Sequence, residues 1–266
     1  MVRTVYHRDP QWPVSGPVDV PAWEWAVLVV AAVAVGFAKT AIAGVATLAV
    51  VGFALVIPAR ESTGTLLPLL IAADVAAVTI YRRHADWPLL LGLLPWVGIG
   101  VAVGVAFLAA AGDLEVRRVI GALILAGVIV AVWLRRQPRD TEGALQRPPP
   151  GRRVAGVVGI AAGFASMAAN AAGPLMVLYL LLAGLPVKRF VGTAAWFFLI
   201  VNLVKVPFSA GLGLIDGAAL RLDLILLPAL ALGAWAGVVA IRHISQLAFE
   251  RAALVLAAVS CLPLLR

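Results

Sequence analysis

The chain has 266 residues, of which 63% are hydrophobic and 13% are charged, and its formal net charge is +8 at pH 7. Soluble domains carry about 25% charged residues, so this composition excludes an ordinary soluble protein and indicates an integral membrane protein. The apolar residues form long runs instead of alternating with polar ones, which favours helices over a membrane β-barrel. Arginines and lysines lie between these runs, where they orient helices in the bilayer, and no nucleic-acid partner is expected.

Residues 1–21 form a polar N-terminal lead with four prolines and without the apolar core of a cleavable signal peptide. The first transmembrane repeat is predicted over residues 22–134. Its first run, Ala22 to Ala43, is long enough to span a bilayer, whereas the next one, Thr47 to Ile57, covers about half of the hydrocarbon. Three further spans complete this half: Gly64–Tyr81, Leu89–Ala111 and Val116–Leu134. They are preceded by a polar break at Arg60–Thr63 and separated by a loop at Tyr81–Trp87 and a turn at Gly112–Glu115.

Residues 135–153, RRQPRDTEGALQRPPPGRR, form a hydrophilic linker with six arginines, which we expect on the cytoplasmic side. The second transmembrane repeat is predicted over residues 154–266 and follows the plan of the first. It contains a basic loop, Pro186–Arg189, and a turn, Gly211–Gly217. Its five apolar elements are Val154–Asn170, a short segment Leu175–Leu185, Phe190–Ala210, Leu220–Ile241 and Ala248–Leu265.

Two interrupted apolar stretches occupy matching places in the two halves. Gly36 to Pro58 and Gly163 to Pro186 both begin Gly-Phe-Ala, break after about eight further residues at small residues, and end at a proline. An odd number of elements per half gives the two repeats opposite orientations. The sequence therefore predicts an all-α membrane protein of two inverted repeats, with broken or short helices at the start of each. Such pairs of interrupted segments point to a transporter's binding site.

The charges between the spans support this orientation. A cytoplasmic linker also puts Arg82-Arg83, Lys188-Arg189 and Arg242 inside, and leaves the acidic turns at Asp113 and Asp216 outside with both termini. Several arginines contradict the rule and fall on the outer side, namely Arg60, Arg117, Arg118 and Arg221. The balance predicts a multi-pass protein of the cell membrane.

The chain resembles the TauE/SafE sulfite exporter family, also called TSUP, from about Gly36 to the C-terminus. The resemblance rests on the loop YRRHADW, on the stretch GFASMAANAAGPLMVLYLLLAGLP, and on Val191-Gly192-Thr193 followed by Asn202 and Lys205. Members typically have a Gly-rich break followed by proline in each half; here the second half has Gly173-Pro174, whereas the first has Gly44-Val45-Ala46-Thr47. The resemblance implies transport of a small sulfur-containing or organic anion, such as sulfite or sulfoacetate.

Ionisable residues inside the apolar runs are the first candidates for the site. Lys205 has apolar neighbours on both sides, and a charge at such depth usually faces a cavity, a partner or a substrate. Lys39 is placed to do the same or to extend its ammonium group to the membrane surface. Asp74 occupies the position in the first half that Asn202 occupies in the second. Asp74 is predicted either to form an ion pair with one of the lysines or to be a protonatable coupling group.

Small polar residues flank the two breaks. A broken helix presents free N–H groups at the start of its second part, where the helix dipole favours an anion. The alternative is that these residues only allow close helix packing. The set predicted to bind substrate together with Lys39, Asn202 and Lys205 is Thr40, Gly44, Ser166, Asn170, Gly173, Pro174 and Thr193.

These features predict a secondary transporter for a small anion that works by alternating access. No Walker motif or HExxH motif is present, the three histidines form no cluster, and Cys261 is the single cysteine, so neither a cofactor nor a metal site is predicted. The expected partners are the small anionic substrate, the lipid bilayer and a possible second copy of the chain. The alternatives are a carrier or channel for another small anion or polar metabolite, a subunit without transport, and an intramembrane enzyme.

Overall fold

A computed structural model describes residues 21–41, 46–136 and 150–243. Over these ranges the chain is all-helical, with no strand, which confirms the predicted fold class at that level. Gly44, most of the linker, and the last predicted span with Cys261 lie outside the described residues. The helices are α1 Ala22–Thr40, α2 Ala46–Val56, α3 Ala59–Tyr81, α4 Trp87–Ala110, α5 Asp113–Arg136, α6 Arg152–Ala169, α7 Gly173–Leu182, α8 Val187–Gly211 and α9 Gly217–His243, with a 3₁₀ turn at Arg82–His84.

Six of the described helices are long and apolar enough to cross a membrane: α1, α3, α4, α6, α8 and α9. α5 covers the predicted span from Val116 to Leu134. Among the described residues, six of the predicted spans are therefore confirmed as helices of the length and composition that a membrane span requires.

Two helices are short, as the interrupted stretches predicted. α2 has 11 residues and α7 has 10, so each is roughly 15 Å long at 1.5 Å per residue and covers about half of the hydrocarbon. The break before α7 is made by Asn170, which ends α6 in the left-handed conformation with φ 51°. Pro174 then lies in the first turn of α7, where its missing N–H costs nothing.

Two segments predicted as loops belong to helices. The polar break Arg60–Thr63 forms the first turns of α3, and the basic loop at Pro186 is replaced by the start of α8 at Val187. In both places a proline precedes the helix, and polar residues follow in the first turn, where backbone N–H groups lack partners within the helix. The hydroxyls of Ser62 and Thr63 donate to backbone carbonyls three residues earlier, each at 2.8 Å. These helices begin before the apolar runs do.

Two parallel helix pairs make the most extensive contacts, α4 with α6 and α1 with α9. Glycines bring the backbones together. A Cβ atom at Gly163 would lie 2.9 Å from the nitrogen of Val101 on α4, and one at Gly36 would lie 2.7 Å from the nitrogen of Ala234 on α9. Side chains larger than hydrogen therefore do not fit at either crossing.

α3 and α8 cross in the interior and run in opposite directions. Gly192, near the start of α8, packs against Tyr81 at the end of α3, whereas Gly64, near the start of α3, packs against Leu214 beyond the end of α8. Midway between these contacts Asp74 meets Asn202. This central crossing holds the buried polar residues.

Candidate functional site

A chain of buried polar side chains runs through the α3–α8 crossing. The ammonium of Lys39 lies 2.8 Å from Asp74 Oδ1, and Asn202 Nδ2 donates to Asp74 Oδ2 at 2.6 Å. Lys205 Nζ donates to Asn202 Oδ1 at 3.2 Å. Asp74 is fully buried and Lys205 is 1% exposed. Four polar groups from three helices are thus joined inside an apolar bundle.

Lys205 extends this chain to α6. Its ammonium donates to Asn170 Oδ1 at 2.5 Å and to Ser166 Oγ at 3.4 Å. Asn170 in turn donates from Nδ2 to the carbonyl of Thr63 at 2.8 Å. Because Asn170 is the left-handed residue that ends α6, the break in the helix is what turns its amide toward Lys205. We call Lys39, Asp74, Ser166, Asn170, Asn202 and Lys205 the polar cluster.

The two lysines of the cluster have different surroundings. Lys39 forms an ion pair with Asp74, while the hydrogen-bond acceptors of Lys205 within the described structure are the neutral oxygens of Ser166, Asn170 and Asn202. With both lysines charged, the cluster carries a formal charge of +1. An uncompensated charge in a membrane interior is costly, and an anion would compensate it.

A small cavity adjoins the cluster. Its volume is about 20 Å³, room for about one water molecule. Residues of both halves line it, among them Lys39 and Leu70 from the first half and Ser166, Asn170 and Asn202 from the second. We call this space the polar cavity.

Both short helices begin at the polar cavity. Ala46, at the start of α2, and Gly173, at the start of α7, are among its lining residues. The first turn of a helix has N–H groups without intrahelical partners, and its dipole favours negative charge. Two half-length helices, one from each half, therefore direct their positive ends at the space beside the lysines.

Two predicted site residues lie elsewhere. Thr40 donates within α1 and to the carbonyl of Ala234 on α9, both at 3.0 Å, so it joins these helices. Thr193 accepts the backbone N–H of Asp86 at 2.9 Å and donates to the carbonyl of Arg189 at 2.6 Å. Pro174 is buried in the first turn of α7, next to Gly173 at the cavity.

Two apolar side chains at the cavity were not predicted. Leu70 lines the polar cavity, and the ring of Phe198 lies over the ammonium of Lys39, 3.9 Å from the nitrogen to the ring centroid. Their signal in the sequence is helical spacing, since Leu70 precedes Asp74 by four residues and Phe198 precedes Asn202 by four. Residues four apart share a helix face. Apolar residues are too common in this chain for that spacing to have singled them out.

A family model described as Sulfite exporter TauE/SafE matches residues 28–264, nearly the whole chain. The chain belongs to the TauE/SafE family. The resemblance found in the sequence is thereby confirmed, and this TauE/SafE protein is a membrane transporter of a family named for sulfite export. No curated protein and no solved structure matches it.

Proposed function

We propose that this TauE/SafE protein is a secondary transporter that moves a small anion across the cytoplasmic membrane by alternating access. The substrate we propose is sulfite or an organosulfonate such as sulfoacetate. The observation that carries the proposal is the meeting of two half-length helix N-termini and the buried Lys39 at one cavity, with Lys205 bonded to three residues that line it. Discontinuous helices whose N-termini face an anionic group are a recurrent binding device in transporters.

We propose that the ammonium of Lys205 compensates the negative charge of the bound anion. A sulfite or sulfonate group accepts several hydrogen bonds, and the donors within reach of the cavity are the ammonium of Lys205, the hydroxyl of Ser166, the amides of Asn170 and Asn202, and the free N–H groups of α7 at Gly173. The cavity has room for a water molecule and not for such an anion. Binding therefore requires the helices around it to separate.

Lys39 and Asp74 have a coupling role in this proposal. Asp74 holds Lys39 at 2.8 Å and accepts from Asn202 at 2.6 Å. Protonation of Asp74 would release Lys39 as a second ligand, so that an anion and a proton enter the site together. The N–H groups at the start of α2, at Ala46, would be equivalent to those at Gly173. Gly44 stays a predicted ligand outside the described residues, while Thr40, Pro174 and Thr193 hold the helices in place.

Many alternating-access transporters are built from two inverted repeats, which we assign here to residues 22–134 and 154–266, joined by a cytoplasmic linker over residues 135–153. The helix contacts support this assignment. Exchanging α1 with α6 and α4 with α9 turns one major helix pair into the other, and the central pair, α3 and α8, is antiparallel, as a two-fold axis in the membrane plane requires.

Local details agree with the same axis. Thr65 and Thr193 lie 128 positions apart, each follows a glycine, and each hydroxyl donates to the carbonyl four residues earlier, at 3.1 and 2.6 Å. Pro58 and Pro186, also 128 positions apart, precede α3 and α8.

The test is a thermal-shift screen of the purified protein with sulfite, sulfate, thiosulfate, sulfoacetate, taurine and short carboxylates. A ligand that binds the folded state raises its melting temperature by mass action. We expect one class of anion to stabilise the wild type and Lys188→Met, and not Lys205→Met. Lys188 is exposed on the same helix, so its variant controls for the loss of a lysine.

Proteoliposomes loaded with the stabilising anion then distinguish a carrier from a channel. We expect saturable exchange against external labelled anion, and its loss in Lys205→Met but not in Lys188→Met. Exchange that persists in Lys205→Met would contradict the assigned site, and flux without saturation or counterflow would contradict alternating access.

A further inference from the structure

Phe198 separates two spaces in the molecule. It lines the polar cavity, and it also lines a crevice formed by Ala38 and Ala41 at the end of α1 and by Phe190, Val191, Ala194 and Ala195 on the first turns of α8. We call this second space the apolar crevice. Among the residues that the structure describes, Phe198 and Lys39 line both spaces.

The ring of Phe198 is held in place from two sides. Its face covers the Lys39 ammonium at 3.9 Å, and its edge packs against Phe197, with 5.1 Å between ring centroids and an 80° angle between the planes. A cation over an aromatic face and a T-shaped ring pair are both attractive arrangements. An anion that moves from the polar cavity to the crevice has to displace this ring from Lys39.

The other repeat has a counterpart. Leu70 precedes Phe198 by 128 positions, the spacing that also relates Asp74 to Asn202, and it lines the polar cavity as well. Each lies eleven residues after the first residue of its helix, α3 or α8, which is about 16 Å along the helix axis. Because α3 and α8 are antiparallel, Leu70 and Phe198 lie on opposite sides of the central contact between Asp74 and Asn202.

We propose that Phe198 is the gate between the anion site and the apolar crevice, and that Leu70 is the corresponding gate on the opposite side. The apolar crevice is then the vestibule through which the anion enters or leaves on the side where α8 begins. An apolar side chain blocks a hydrated oxyanion because it offers no hydrogen bond in exchange for the water it would displace. This inference rests on the proposed function only in taking the polar cavity as the anion's position.

Cysteine accessibility tests the gates without a transport assay. In full-length protein carrying Cys261→Ser, a reporter cysteine replaces either Ala194, in the crevice, or Ala46, in the polar cavity. A charged, membrane-impermeant thiol reagent is added to one side of the membrane at a time. We expect Ala194→Cys to react from one side, and Ala46→Cys to react at least tenfold more slowly from that side.

Adding Phe198→Ala should raise the reaction rate of Ala46→Cys at least tenfold from the crevice side alone. Adding Leu70→Ala should raise it from the other side alone. Leu108→Ala removes a fully buried apolar side chain on α4 that lines neither space, and Phe198→Trp keeps a large ring over Lys39; neither should expose Ala46→Cys. Size-exclusion profiles confirm that each variant is folded.

An unchanged rate at Ala46→Cys in folded Phe198→Ala would overturn the gate, and so would an equal rise in Leu108→Ala. Either result leaves the anion site itself intact, because that site is tested by Lys205→Met. Conversely, sulfite exchange that survives Lys205→Met would contradict the proposed function while the accessibility results still identify the barrier.

Discussion

The two halves of the molecule have similar helices and dissimilar chemistry. At positions related by 127 or 128 residues, Lys39 corresponds to Ser166, Asp74 to Asn202, and Lys205 to Ala77. The first half therefore contributes an ion pair at 2.8 Å, and the second contributes a lysine with neutral partners. In the proposed mechanism the two repeats would provide two opposite openings, while one bound anion would need only one excess positive charge, so the repeats need not have the same side chains at the site.

The largest loss of stability is expected when the first half loses the carboxylate that pairs with Lys39. Asp74→Asn leaves the buried Lys39 ammonium without a carboxylate, and we expect it to lower the free energy of unfolding by about 3 kcal/mol or more. Asp86→Asn is the matched control, because Asp86 pairs with Arg189, whose side chain is 53% exposed, and such surface pairs contribute about 0–1 kcal/mol. Thermal unfolding in detergent measures both. Similar losses in the two variants would contradict the buried ion pair.

The glycine crossings test the similarity of the halves. Gly36→Ala and Gly163→Ala each put a Cβ against the backbone of the partner helix, so we expect each to lower the free energy of unfolding by about 1–3 kcal/mol. Gly98→Ala on α4 meets no atom within 4 Å and should be neutral or stabilising by up to about 1 kcal/mol. Unequal losses at Gly36 and Gly163 would weaken the two-fold relation between the pairs α1–α9 and α4–α6.

Asn202→Asp makes the second half resemble the first. The new carboxylate would lie beside Lys205, whose ammonium is 3.2 Å from Asn202 Oδ1, and would cancel the excess positive charge. We expect affinity for the stabilising anion to fall at least tenfold, which is about 1.4 kcal/mol. Isothermal titration or ligand-dependent thermal shift measures it, with Asn202→Gln as the uncharged control. Affinity that stays within twofold of wild type would show that net charge does not determine binding.

The smallest changes in the free energy of unfolding are expected at Thr65 and Thr193, which lie 128 positions apart. Thr193 bonds both its own helix and the backbone of Asp86, whereas within the described ranges the Thr65 hydroxyl bonds its own helix alone. We expect Thr193→Val to cost about 1–2 kcal/mol because the Asp86 N–H loses its acceptor, and Thr65→Val to cost less than about 0.5 kcal/mol. Equal effects in thermal unfolding would mean that the link from α8 to the loop before α4 does not contribute to stability.

Much of the fold could be predicted because the membrane restricts it. With no water to bond the backbone, apolar runs of about 20 residues become helices, and the short runs after the two breaks became α2 and α7. Helix starts were less predictable. Arg60–Thr63 and Lys188-Arg189 are too polar for the hydrocarbon, yet they are helical, since helices extend beyond the hydrocarbon into the interface, where polar side chains reach water.

The charged residues and the asparagine at the centre of the candidate site could be predicted from the sequence. Lys39, Asp74, Asn202 and Lys205 are conspicuous because polar groups are costly in an apolar run, and the structure brings all four together. Thr40 and Thr193 were equally conspicuous and lie elsewhere. A threonine hydroxyl can bond a carbonyl of its own helix, so its presence in an apolar run does not by itself require a polar neighbour.

By itself, the sequence determined that the protein lies in a membrane, that it is helical, and which family it belongs to. These properties follow from composition and from the order of residues along the chain. Only the tertiary structure decided which lysine pairs with Asp74, that α2 and α7 begin at the same cavity, and that Phe198 covers Lys39. Those facts depend on distances between residues far apart in the chain, which the antiparallel crossing of α3 and α8 sets.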